Sequence, residues 1–345
     1  MGAYHVKWKP LFAVLLGLLM VGVTAGNTTA LTTKSPDNVS NILELPRITI
    51  KNGQVIVRGY SFPIDGKMAV IDSKGPSKYE VPINLVPWYV VGRNIALKIQ
   101  NEYLSTGTID EKEIDRLMQI LEIITGKKFN SEDSKALRDF IIQDIKKEGN
   151  LIRYEKWLKT HEVPKSTVAA SSSPWLPTIY QPLVDINGDP GVLHGGENPY
   201  GPFEGDNGIV KVYWYMHMTQ VGPIFEITIV YKDEDDPIWE LDKSYDIARL
   251  VIHGRIEDME TFYYYAWYNK ADFPSIYSTD EFFDNPFHGP HGDKYGESYR
   301  AIYINTWNHA MSAQVDSNPN LKKKVWKPGS YPTKEGTRED AENDY

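Results

Sequence analysis

The chain contains no cysteine in 345 residues. That absence excludes a thiol nucleophile, a thiolate metal site, an iron–sulfur cluster and any disulfide. If the protein is exported, core burial, ions or charge networks must do what disulfides do elsewhere. Positive charge is also in deficit. Lys and Arg number 37 against 46 Asp and Glu, giving a net charge of −9, which argues against nucleic acid as the main partner. A Gly-x-Ser-x-Gly elbow and a His-Glu-x-x-His helix are both missing, which disfavours serine and zinc hydrolases of those kinds. The N-terminal apolar run, Leu11 to Val23, is 13 residues long, too short to span a bilayer comfortably.

That run has the layout of a targeting segment. Lys7 and Lys9 precede it, and Val23-Thr24-Ala25 follows as a small-residue cleavage site. The sequence therefore predicts a signal peptide over 1–25 and an extracellular or cell-surface protein, with an uncleaved membrane anchor as the alternative. Asn27-Thr28-Thr29 and Asn38-Val39-Ser40 are glycosylation sequons just beyond it. Residues 26–45 are polar, contain Pro36 and read as a linker.

Periodicity divides what remains. Ile48-Thr49-Ile50, Lys51-Asn52-Gly53-Gln54 and Val55-Ile56-Val57 predict a hairpin, because Asn-Gly between β-branched runs favours a tight two-residue turn. Helices are predicted over 94–104, 110–125 and 131–148, the last capped by Ser131 and stopped by Gly149. Lys112, Lys127, Lys128, Lys146 and Lys147 read as solvated helix faces. Residues 164–174, with Ala169-Ala170-Ser171-Ser172-Ser173, read as an inter-domain linker. Beyond it, strands are predicted over 209–218, 223–231, 245–252, 257–268 and 299–306. The predicted fold class is mainly β. A C-terminal β-sandwich over 175–330 is preceded by a small α+β N-terminal domain over 46–163, and a disordered tail follows over 331–345.

The chemistry concentrates at Asp258-Met259-Glu260, which opens an aromatic strand through Tyr268. Side chains at i and i+2 of a strand share a face, so Asp258 and Glu260 project together, roughly 7 Å apart at Cα. Like charges so placed need water, a cation or a basic side chain between them. Mg²⁺ and Ca²⁺ prefer carboxylate oxygens, so the pair is a candidate hard-cation site; a wet strand end is the alternative. A weaker candidate is Asp185, Asn187 and Asp189 around Gly188, where oxygen side chains at alternate positions could wrap Ca²⁺ or form an Asx turn. His288-Gly289-Pro290-His291-Gly292-Asp293 offers two imidazoles and a carboxylate, and His309 follows a strand end, where polar groups can face a cleft.

Three of these segments together resemble the necrosis-inducing (NLP) cytolysin family. Val184-Asp185, Gly188 and Gly191-Val192-Leu193 resemble that family's Ala-Val-Asp-x-x-Gly-x-x-x-Gly-Leu segment. Asp258-Met259-Glu260 stands where the family has the end of Gly-His-Arg-His-Asp-Trp-Glu. Tyr303–Met311, with Asn308-His309-Ala310-Met311, is similar to its Tyr…Asn-His-Ala-Leu segment. The resemblance covers about residues 175–326. It departs from the family at Met259, in place of Trp, and at Arg255 and Glu257, where the family histidines fall, although His253 lies close by. It implies a β-sandwich with an acidic cavity holding a divalent cation that supports docking on sphingolipid headgroups at a membrane. Asp258 and Glu260 would then be metal-side carboxylates, with His309 and His253 as ligand-side histidines.

Three function classes follow. The first is a secreted, cation-assisted binder of glycans or lipid headgroups, with Mg or Ca as the ion and no organic cofactor. The second is an extracellular hydrolase using Asp258 or Glu260 as general base with His309. The third is a Ca-stabilised structural protein of the cell envelope.

Overall fold

The computed structural model describes residues 48–57, 60–72, 78–163, 175–187, 207–220, 222–234, 239–266, 270–272, 301–305, 309–313, 316–317 and 319–345. The predicted signal peptide, both sequons, the segments 26–45 and 164–174, Asp189 and the His288–Asp293 loop lie outside the described residues. The chain divides into two compact units, residues 1–72 with 80–91 and residues 73–79 with 92–345.

The first unit is built on a sheet. Strands β1 (Ile48–Lys51), β2 (Gln54–Val57), β3 (Tyr60–Asp65), β4 (Met68–Asp72) and β5 (Lys78–Pro82) lie side by side in that order. Asn52 and Gly53 both take positive φ, 52° and 73°, as the predicted two-residue hairpin turn requires. Helix α1 (Val86–Thr106) starts eight residues earlier than its apolar pattern suggests, with Pro87 in the first turn, where a missing N–H costs nothing.

The second unit opens with long helices. In α2 (Glu111–Thr125), Ile114, Leu117, Leu121 and Ile124 are buried on one face as predicted, while Asp110, expected inside the helix, caps its N-terminus and Gly126 ends it in the left-handed region. Helix α3 (Ser131–His161) runs through the predicted stop at Gly149. The glycine is there for close approach: a Cβ would lie 2.5 and 2.7 Å from ring carbons of Tyr103 on α1. Overpacking of this kind typically costs about 1–3 kcal/mol. Gly149→Ala is therefore expected to lower stability by that amount in chemical denaturation, even though Ala is the better helix former.

The remaining elements are β6 (Thr178–Pro182), α4 (Leu183–Asn187), β7 (Ile209–Thr219), β8 (Gly222–Tyr231), α5 (Trp239–His253), β9 (Asp258–Tyr265), β10 (Lys270–Asp272), β11 (Ala301–Ile304), β12 (Met311–Ser312), β13 (Lys323–Trp326), β14 (Thr333–Glu335) and α6 (Arg338–Asp344). They form two sheets, ordered β10-β9-β8-β7-β14 and β12-β11-β6-β13. One apolar cluster takes Ile227, Ile229, Tyr231, Phe262 and Tyr264 from the first and Ile179, Ile302, Ile304, Met311 and Trp326 from the second. The opposite face of the first sheet is covered by helices. Tyr263, Tyr265 and Ile224 pack on Leu151, Tyr154 and Leu158 of α3, while Tyr213, Val230 and Met259 pack on Ala341 of α6.

Among the described residues the architecture is mixed α and β with three sheets, and not clearly the mainly-β fold expected. The strand predicted at 245–252 lies within α5. Tyr245, Ile247, Ala248, Leu250, Val251 and Ile252 are all buried, and a helix buried on most sides hides its 3.6-residue period. The predicted disordered tail 331–345 forms β14 and α6, with a capping box at Thr337 and Asp340 and with Tyr331, Arg338 and Ala341 buried. Elements on either side of segment 164–174 pack together. Helix α3 before it and strands β8 and β9 after it share one apolar cluster, and Glu148 on α3 binds Arg338. Among the described residues no helix is long and apolar enough to cross a membrane.

Candidate functional site

Strand β9 starts at Asp258, and Asp258, Glu260, Phe262 and Tyr264 share a face, the last two reaching the apolar cluster. Both acids are buried, Asp258 at 4% and Glu260 at 2% exposure. Charges buried this deeply are tolerated only when paired and hydrogen-bonded, and each is. On α5, Tyr245 and Arg249 stand one turn apart and share a helix face. Arg249 donates to Asp258 Oδ1 at 3.1 Å and to Glu234 Oε2 at 2.5 Å, while Tyr245 donates its hydroxyl to Glu234 Oε1 at 2.8 Å. Lys147, from α3, forms an ion pair with Glu260.

His309 closes the cluster from the segment between β11 and β12. It is fully buried and takes a φ of +53°, which aims its ring into the interior. Nδ1 lies 2.7 Å from Asp258 Oδ2, Nε2 lies 3.3 Å from Asp185 Oδ2, and the ring stacks on Tyr231 with centroids 3.9 Å apart. Asp185, on α4, is held in turn by Gln181 Nε2 at 2.5 Å and Asn207 Nδ2 at 3.3 Å. Gln181 accepts the Trp326 indole N–H at 3.0 Å.

The protonation states follow from this geometry. Burial alone would lower the His309 imidazolium, but Asp185 and then Asp258 raise it well above the usual histidine range. Burial would raise Asp258, yet Arg249, His309 and Lys147 hold it far below the usual carboxylate range. Burial pushes Glu234 up to about 7, with Asp258 adding and Arg249 opposing. It pushes Glu260 up to about 8 against the pull of Lys147. At the centre of the cluster an imidazolium sits between two aspartates.

Of the residues predicted from sequence, Asp185, Asp258, Glu260 and His309 come together. His253, in the last turn of α5, does not join them directly. It binds Asp144 of α3 at 2.5 Å and holds that carboxyl down to about 2 despite burial. Asn187 ends α4 and Asp185 lies against His309, while Asp189 of the same candidate set lies outside the described residues. Lys147, Arg249, Glu234 and Tyr231 were not legible as members. Lys147 carried one signal: Asp144, Lys147 and Leu151 recur at the spacing of one helix face. A hard cation needs carboxylate oxygens that face it, whereas both Asp258 oxygens are engaged by Arg249 and His309 and Glu260 is engaged by Lys147. Among the described residues no three His, Asp or Glu side chains are arranged to hold a metal. As they stand, these residues do not fit Mg²⁺ or Ca²⁺.

Compared with protein-family models, with curated proteins and with solved structures, the chain matches none of them.

Proposed function

We propose that the chain is an exported, non-catalytic binding protein whose second unit carries a β-sandwich module of the cytolysin-like kind, docking on glycans or lipid headgroups at a cell surface. One observation supports this reading. One residue from each of the three segments that carry the resemblance meets the others at a single point, where His309 touches both Asp185 and Asp258. Helices on one face of the first sheet are compatible with a sandwich decorated outside. The buried cluster has a positioning role: it ties α4, the start of β9 and the β11–β12 segment into one rigid base for the surface around it. His309, fully enclosed, is a positioning residue and not a ligand contact.

The proposed module works without a divalent cation, because Lys147 and Arg249 supply the positive charge that Mg or Ca supplies in the resemblance. The hydrolase reading is disfavoured because a general base must reach substrate or water, whereas Asp258 and Glu260 are buried and engaged by Arg249, His309 and Lys147. For a Ca-stabilised structural role, no three His, Asp or Glu side chains are arranged to hold the ion among the described residues.

The test combines melting with binding. A bound divalent ion would stabilise the fold by about 3 kcal/mol at a hundredfold excess over its dissociation constant. The expected result is a melting temperature unmoved by EDTA, Mg²⁺ or Ca²⁺, together with retention on sphingolipid vesicles or neutral glycans that falls severalfold in a folded His309→Gln variant. An EDTA-sensitive melt would sink the cation-free site, turnover of a glycan would favour the hydrolase, and retention on neither probe would end the binding reading.

A further inference from the structure

Strand alternation puts His217 of β7 and Glu226 of β8 on the helix-covered face of the first sheet, with Tyr213, Ile224, Val230 and Tyr263. His217 is 2% exposed, and both of its ring nitrogens meet carboxylates. Nδ1 lies 2.7 Å from Glu162 Oε1, and Nε2 lies 2.8 Å from Glu226 Oε2. Glu162 is the residue that ends α3. There the chain is pinned to β7 twice more, by a bridge between Glu162 and Thr219 and by the Val163 N–H, which donates to the Met218 carbonyl at 2.8 Å. Glu226 uses its other oxygen to accept the backbone N–H of Arg338, at the start of α6. One imidazole thus stands where α3, β7, β8 and α6 meet.

An imidazole donates from both nitrogens only as the imidazolium, so this geometry fits the charged ring. Burial would lower its pKa, but Glu226 and then Glu162 raise it above the ordinary histidine value. The two carboxylates differ in exposure. Glu226 is 1% exposed, whereas the Glu162 side chain is 38% exposed. Stripping the donor from a buried carboxylate is costly, while a half-exposed one can turn to water. When the ring loses one proton, the remaining N–H therefore stays on Nε2 with Glu226. The Nδ1 lone pair then faces Glu162, and that contact becomes repulsive. The other charged or titratable groups around the junction are His161, Glu155 and Lys159 of α3, Tyr215 of β7, Tyr263 of β9, and Arg338 and Glu339 of α6. Tyr215 meets the His217 ring edge-on at 4.8 Å, Lys159 pairs with Glu339, and Glu226 acts on Glu155, Lys159 and Tyr263. His161 Nδ1 lies 2.9 Å from the Trp157 carbonyl of its own helix.

We infer that His217 is a proton-operated catch on the end of α3. As the imidazolium it holds Glu162 and pins the chain at Glu162 and Val163 to β7. As the neutral ring it stays on Glu226, lets Glu162 swing into water and loosens that end of α3, while α6 keeps its place. The direction of the response follows from linkage. A histidine raised on folding contributes stability that is complete below its ordinary value of 6.5 and is lost as pH rises through the folded value. The catch is closed on the acid side and opens on the alkaline side. It lies on the opposite face of the sheet from Phe262 and Tyr264, apart from the His309 cluster, so it stands whether or not the docking function above holds.

Two residue-specific measurements on the full chain between pH 5 and pH 9 test the catch. Imidazole nitrogen NMR should show His217 doubly protonated at pH 5 and converting to the Nε2–H tautomer as pH rises. Amide exchange, corrected for the intrinsic rate at each pH, should show Val163 losing protection severalfold across the same midpoint, while the Arg338 N–H keeps its own. In His217→Gln the Val163 amide should exchange freely at every pH, with no step. If that variant does not fold, Glu162→Gln, at a half-exposed position, carries the test. An amide can donate to the neutral ring, so Val163 should stay protected throughout and the His217 midpoint should fall. Glu155 is pushed up by burial to about 8, within the same range, so Glu155→Gln is the control and should keep the step. Val163 protection that ignores pH overturns the proposal, as does an Nδ1–H tautomer or the loss of Val163 and Arg338 protection together. So does a step that survives in Glu162→Gln or vanishes in Glu155→Gln.

Discussion

Arg338→Met is expected to cost about 3–5 kcal/mol, the usual consequence of removing one partner of a buried ion pair. Arg338 is 1% exposed yet fully charged. Burial would lower its pKa, but Glu148, Glu342 and Glu155 raise it. It forks onto both oxygens of Glu148, lies 2.7 Å from Glu342 on its own helix and 3.9 Å from Glu155, while its backbone N–H bonds Glu226. Removing the guanidinium leaves these carboxylates facing one another in a site where burial already pushes Glu155 up to about 8. Lys159→Ala is the control: its pair with Glu339 is exposed on both sides, and its loss should fall within about 1 kcal/mol. Denaturant midpoints for the two variants settle the comparison, and a loss below 1 kcal/mol for Arg338→Met would show that α6 is not clasped by charge.

Lys147→Met should show a loss that depends on pH. Burial pushes Glu260 up to about 8, from an ordinary value of 4.5, while Lys147 opposes that shift. A carboxyl raised on folding holds a proton that the unfolded chain releases, so its contribution is complete below about 4.5 and fades as pH rises through its folded value. Replacing the ammonium by an isosteric thioether removes the opposing pull and moves Glu260 further up. At pH 5 the variant should therefore lie within about 1–2 kcal/mol of the wild type, because a neutral carboxyl needs no cation. Above pH 8 the gap should widen by about 1.4 kcal/mol for each unit over which only the folded variant keeps the proton, reaching about 3–5 kcal/mol. Urea melts at pH 5, 7 and 9 measure this directly. A gap constant with pH would mean that Glu260 has a second cation.

How far the sequence anticipated the structure depended on what covered each element. The Asn52–Gly53 hairpin, the apolar face of α2 and the β7–β8 hairpin were legible because local chemistry decides them. The pairing of Asp258 with Glu260 on one face of β9 followed from strand geometry alone, and the register with β8 bears it out. Failures came where tertiary contacts overrode local signals. Gly149 reads as a stop and serves as a seat for Tyr103. Lys147 reads as solvated because Lys146 beside it looks identical, yet only Lys147 turns inward to Glu260. Arg249 sits in the run Ile247–Ile252, which looks like a strand until the run is seen to wind as a helix around it. The tail at 331–345 has a polar composition, but the pairing of β14 with β7, the burial of Tyr331, Arg338 and Ala341 and a capping box order it.

The four-stranded sheet joins pieces that synthesis separates widely. Strand β6 lies between β11 and β13, and its Gln181 meets a Trp326 that is 145 residues further along. Closing loops of that length before any contact rewards them is the slow part of folding, whereas β1–β2 and β7–β8 can zip from their own turns. The acidic cluster inherits that order. Asp185 arrives with β6, Asp258 with β9 and His309 after β11, so neither aspartate meets its imidazolium until the last pieces dock. Until then the chain carries hydrated, mutually repelling acids where its core will be. The desolvation of these acids is therefore deferred to the last step of folding, when their cationic partners arrive with them.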